Sequence, residues 1–203
     1  MLSPDLDRVA ETHFFLRPVL SSALKSQTLT TEGQQHFPGC NNYNEVWATQ
    51  LSDKYFDMGT LIRAAASVET GLRDYYVQKV GHANLTQLRA DPKYKQNIFQ
   101  RVMPWSGKDG AIALFNSIGV DLAKMQDFAS VQELVLQRHL YAHNLGVIDA
   151  KYMADLKSLT GQDISQHPSV LNVFPAQDVV WFEPLSRLDA FINAARSFLR
   201  NLQ

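Results

Sequence analysis

Apolar residues recur along most of this chain at helical rather than alternating spacing. Val9, Phe14, Leu16, Val19, Leu20 and Leu24 give one apolar side to a first helix opened by Ser3-Pro4, with Asp5, Asp7 and Glu11 in its early turns. Pro18 lies inside it and is expected to kink or divide it. Leu61, Ala65, Val68, Leu72 and Tyr75 follow four- and three-residue steps, which predicts a long helix from Glu45 to Val80, with Gly59 a possible break and Gly81 the stop. Further helices are predicted from Asp91-Pro92 to about Val102, over 109–119, from Asp127 to about His143, and from an Asp149 cap to about Leu159. A last amphipathic helix runs from about Pro184 to Leu202. Val170–Phe174 reads as a short extended piece.

The interruption at 26–44, SQTLTTEGQQHFPGCNNYN, is polar and rich in turn residues, and predicts a long loop, the best candidate for a mobile or partner-facing segment. The fold class is therefore all-α. A helical bundle over 45–203 follows an N-terminal helical arm and polar loop over 1–44.

Charge and composition narrow the function classes. Nineteen Lys and Arg face twenty Asp and Glu, which rules out a chain that binds nucleic acid through bulk positive charge. A hydrophobic fraction of 45% is too high for a disordered chain. The lone cysteine, Cys40, cannot close an intramolecular disulfide or hold zinc by itself, and a reducing, cytoplasmic setting is expected. No apolar run approaches a membrane span, and MLSPDLDRVAET does not read as a secretory signal.

Helix 127–143 carries the chemistry. On a wheel at about 100° per residue, Val131, Leu134, Val135, Tyr141 and Ala142 fall on both sides of Arg138. A guanidinium in an apolar stripe needs a carboxylate partner or an anion, because it cannot shed its charge. Glu69 is a candidate partner; a solvated Glu69 without a role is the alternative. His139 and His143 flank the same stripe. His143 is either a reactive imidazole or a group capping the helix C-terminus ahead of Asn144 and Gly146.

The residues RHLYAHNLGVID, 138–149, resemble the R-x4–6-H motif of HEPN domains, in particular the set carrying RHL-x-x-HN-x-G-x-x-D. The resemblance spans about residues 60–160 and is sharpest at 134–152. It implies a compact α-helical bundle that pairs as a two-fold dimer, and a metal-independent endoribonuclease of toxin–antitoxin, antiphage or RNA-processing systems. It assigns catalysis to Arg138 and His143, without a cofactor. Auxiliary places go to His139 and Asn144 (phosphate or base contact, or orientation of His143), to Tyr141 (base stacking or packing) and to Glu69. RNA, a second copy of the chain and a cognate antitoxin or regulatory protein are the implied partners. A non-catalytic dimerisation module, or one binding a nucleotide or a partner, is the competing expectation.

One window adds to this picture. Over 89–108, Arg89, Lys93, Lys95, Arg101 and Lys108 oppose only Asp91, with Tyr94, Phe99 and Trp105 interleaved. Cations among aromatics suit single-stranded RNA. A solvated helix with core aromatics is the other reading. His13, His36, His82 and His167 show no ligand spacing, Gly107-Lys108-Asp109-Gly110 lacks the phosphate-loop pattern, and no serine has a nucleophile-elbow context.

Overall fold

A computed structural model describes residues 4–25, 27–49, 52–81, 85–90, 105, 110–144, 146–161, 163, 170–174, 179–182 and 185–202. The described chain is mostly helical. Helix α1 (Pro4–Glu11) continues through a π-helical turn, Thr12–Leu16, into α2 (Arg17–Lys25). The chain meets Pro18 by widening rather than breaking: the Arg17 N–H donates to the carbonyl of Thr12, five residues back. The arm thereby splits into two roles. Leu6, Val9 and Ala10 of α1 are buried in the core, whereas α2 buries no residue. Phe15, Leu16, Val19 and Leu20 are 51–69% exposed.

The stretch expected to be one polar loop is a closed excursion with its own helix. Thr28 and Asn42 pair as an antiparallel bridge, and the Tyr43 N–H donates to the Gln27 carbonyl. Helix α3 (Thr31–His36) starts at Thr30, whose hydroxyl accepts from the Gly33 N–H at 3.1 Å. Helix α4 (Tyr43–Thr49) precedes α5 (Ser52–Val80), which passes unbroken through Gly59 and ends before Gly81 at positive φ.

Two short helices follow, α6 (Leu85–Ala90) and α7 (Ala111–Asn116), with a 3₁₀ turn at Leu122–Lys124. The helix expected from Asp91 to Val102 lies outside the described residues. Helix α8 (Phe128–Asn144) carries the motif, and α9 (Ala150–Thr160) is capped by the Asp149 carboxylate accepting from the Tyr152 N–H at 2.7 Å. The extended piece at Val170–Phe174 is β1, paired antiparallel with β2 (Val179–Phe182) in a two-stranded hairpin with an irregularity between Val170 and Asn172. Helix α10 (Leu185–Asn201) closes the described chain.

The core lies where α5, α8 and α10 pack against one another, with α1 on α5 and α10 and α9 on α8. Leu61, Val68, Leu72, Val131, Leu134, Ile192 and Phe198 are fully buried there. Each comes from a stripe with helical period, so burial of these stripes is the main driving force for this arrangement.

Candidate functional site

Helix α8 is buried over a wider arc than its apolar residues alone predict. Glu133 is 4% exposed and Gln137 fully buried. Both are held by contacts from outside the stripe. Arg187 Nη1 donates to both Glu133 carboxylate oxygens at 2.6 and 2.7 Å, and Gln137 Nε2 donates to Glu133 Oε1 at 3.0 Å. The buried arc is therefore centred about 50° from Arg138, on the Leu134 and Tyr141 side. Arg138 sits inside this arc, between Val131 and Leu134, on the seam between α8 and α5, with 24% of its side chain exposed.

On that seam Arg138 Nη1 donates to Glu69 Oε1 at 3.4 Å. Glu69 is 19% exposed, and its burial raises its carboxyl above the usual glutamate value; the charges of Arg138 and Arg73 oppose the shift. Arg73 follows Glu69 by one helical turn, so two guanidiniums bracket one carboxylate. The Nε of Arg138 is shielded from solvent and has no hydrogen-bond partner among the described residues.

The two histidines form the outer part of the site. They are one turn apart, and their rings lie 4.6 Å apart at 54°. His143 is exposed at the end of α8, while His139 is half-buried with its Nδ1 shielded and unpartnered among the described residues. Burial, chiefly, and then the charges of His143, Lys151 and Arg138 lower the basicity of His139; Asp149 acts weakly in the opposite sense. His139 is thus biased to the neutral imidazole at neutral pH.

The turn after α8 fixes how the chain leaves the site. Gly146 has φ +86°, and its N–H returns to the Leu140 carbonyl at 3.4 Å. A Cβ at Gly146 would stand 2.6 Å from Tyr141 Cε1. Only glycine fits both the backbone and the ring. Tyr141 is 1% exposed, so it packs under this turn and is not placed to stack on a base.

The structure brings together Arg138, Glu69, His139 and His143 of the expected site residues. It adds Arg73 and Lys151, whose closeness depends on which helices are neighbours; only the Glu69–Arg73 spacing was a local signal. For Asn144 and Arg89 the helical backbone alone is described. Lys93, Lys95, Arg101 and Lys108 lie outside the described residues, and with them the basic RNA-binding window. Trp105 of that window is half-buried edge-on against Phe128, ring centroids 5.3 Å apart, as the core-aromatic reading expects. Among the described residues no three His, Cys, Asp or Glu side chains are grouped to hold a metal ion, and no helix is long and apolar enough to cross a membrane.

Comparison with protein-family models, curated proteins and solved structures finds no match for this chain.

Proposed function

We propose that this chain is a HEPN-like, metal-independent endoribonuclease, acting on RNA as a cytoplasmic homodimer in defence or stress response. The observation that carries the reading is the clustering of Arg138, His139 and His143 at one end of α8, with His143 exposed and Arg138 open to solvent on one side. The RHL-x-x-HN-x-G-x-x-D residues supply the chemical precedent.

In this reading the RNA 2′-oxygen attacks the adjacent phosphorus and the bond to the 5′-oxygen breaks. His143 takes the 2′-hydroxyl proton or delivers a proton to the leaving 5′-oxygen, and Arg138 balances the charge that builds on the phosphoryl oxygens. The products are a 2′,3′-cyclic phosphate and a 5′-hydroxyl. Arg138 and His143 are separated by about 7.5 Å of helix rise, so a two-fold pair of sites in one groove suits the reaction better than one copy. Glu69 holds the Arg138 fork in place, and neutral His139 is a hydrogen-bonding neighbour of the phosphate.

The test compares wild type with Arg138→Ala and His143→Ala on mixed-sequence single-stranded RNA with a chelator present, followed by analysis of the product ends. Cyclic-phosphate ends from wild type and none from either folded variant support the reading. Absence of cleavage by wild type, or equal cleavage by all three proteins, overturns it.

A second reading, a non-catalytic module for dimerisation or for a nucleotide or partner such as an antitoxin, is favoured by the exposed Phe15, Leu16, Val19 and Leu20 face of the arm.

A further inference from the structure

Lys151 stands outside the motif residues, on the first turn of α9. The chain is bent back to bring it there. Gly146 makes the reversal, locked by its fit over Tyr141, and Ile148 is buried beyond it. Asp149 then starts α9 through the Tyr152 N–H, and Tyr152 and Leu156 bury the inner face of α9 against α8. Lys151 precedes buried Tyr152 by one position, so it flanks that inner face with 73% of its side chain exposed.

The ammonium is held lightly. Its described ion pair is with Asp155 at 2.5 Å, one turn along the same helix and itself 43% exposed. Such surface pairs are worth little and give way readily to a stronger anion. Lys151 weighs more on His139 than Arg138 does, although Arg138 is the adjacent residue in sequence. The first turn of α9 therefore stands by the end of α8, and the charges of both Arg138 and Lys151 bear on His139.

We propose that Lys151 is a substrate-binding residue of this site, holding the RNA phosphate next to the one Arg138 engages. This assignment rests on the nuclease reading and deepens it. It gives the site a direction: the strand crosses the end of α8 from the α5 seam towards α9, with the histidines between the two phosphate contacts. Lys151 touches no reacting atom, so it sets affinity and register and leaves proton transfer to the imidazoles.

The experiment uses the full chain and a mixed-sequence single-stranded RNA oligonucleotide. Binding is measured on the non-cleaving His143→Ala background over about 50 to about 200 mM salt, with and without Lys151→Gln. Lys151→Gln is expected to weaken binding several-fold and to reduce the slope of log K against log salt by about 0.7, the share of one single-strand phosphate contact. Lys151→Arg keeps the charge and restores both values. In the cleaving protein, Lys151→Gln raises KM and leaves kcat nearly unchanged, with the thermal midpoint unaltered because the side chain is exposed. An unchanged salt slope and KM in Lys151→Gln, in a protein whose wild type cleaves RNA and whose His143→Ala variant does not, overturns the role of Lys151 and leaves the nuclease reading standing. No RNA binding and no cleavage by any of the proteins overturns both.

Discussion

Arg138 on α8 and Glu69 on α5 meet across the seam of the two helices, Nη1 to Oε1 at 3.4 Å, with neither side chain fully buried. The pair ties the candidate site to the core and leaves one side of the guanidinium for an anion. It also gives Glu69 a distinctive pH behaviour. Its carboxyl is raised above the usual value, so the folded protein binds more protons there than the unfolded chain does. The stability Glu69 contributes is largest when it is protonated, and is lost as pH rises through its folded value. Denaturation of wild type and Glu69→Gln should therefore show the difference moving in favour of the variant as pH rises above 4.5, the ordinary glutamate value. A pH-independent difference would contradict this.

His139 shifts the other way. Its folded value lies below 6.5, so its stabilising contribution is present above that value and is lost as pH falls through the lower, folded one. NMR titration should place its midpoint below that of a free imidazole. Lys151→Gln and His143→Ala should each move the midpoint up, because each removes a cation that opposes protonation. A midpoint indifferent to both substitutions would leave burial and the Arg138 charge as the causes.

Gly146→Ala should be costly for two separable reasons. A left-handed backbone costs an L side chain about 1–2 kcal/mol, and forcing a methyl against the Tyr141 ring adds about 1–3 kcal/mol. Urea denaturation should show a loss of at least about 2 kcal/mol. Tyr141→Leu should recover part of it, since the steric portion alone depends on the ring.

The Glu133–Arg187 pair should rank among the costliest surface-distant contacts to break. The Glu133 side chain is 5% exposed, and Tyr152's own burial together with the Glu133 charge pushes the Tyr152 phenol well above its usual value. Arg187→Ala is expected to cost about 3–5 kcal/mol, because it strips a buried carboxylate of its main counter-charge. The double variant Glu133→Gln, Arg187→Met should be nearer wild type than Arg187→Ala alone, which a double-mutant cycle measures.

Substitution of Val19 and Leu20 by Lys should leave stability within about 0.5 kcal/mol, since both point to solvent. Sedimentation before and after the change then reads whether the α2 face joins copies of the chain.

Periodicity in the sequence located α5, α8, α9 and α10, because each buries one continuous stripe. The capping residues were legible for the same local reason: Asp149 starts α9 and Asn144 ends α8 within a residue of the expected positions. Arg138 called for an anionic neighbour because a guanidinium among Val131, Leu134 and Val135 has few alternatives. Three features escaped this logic. Glu133 and Gln137 lie off the apolar stripe of α8, and the arrival of Arg187 from α10, more than fifty residues along the chain, gives the buried Glu133 carboxylate a counter-charge. Helix α3 lies inside the segment expected to be a loop, because six residues are too few to show a period. Lys151 joins the site through helix packing, which local spacing does not encode, whereas Arg73 lies one turn from Glu69 on the same helix.

The π-turn at Thr12–Leu16 makes the arm a counted element rather than a spacer. It holds one residue more than an α-helical turn would, and the wider turn absorbs that residue, so α2 continues close to the phase of α1. Arg17 meets Asp57 at 2.6 Å in that phase. Losing the extra residue would let the turn close as α-helix with α2 near its present rotation, whereas gaining another would swing α2 by about 100° and carry Arg17 off its carboxylate. Over evolutionary time this segment should accept the loss of one residue more readily than the gain of one.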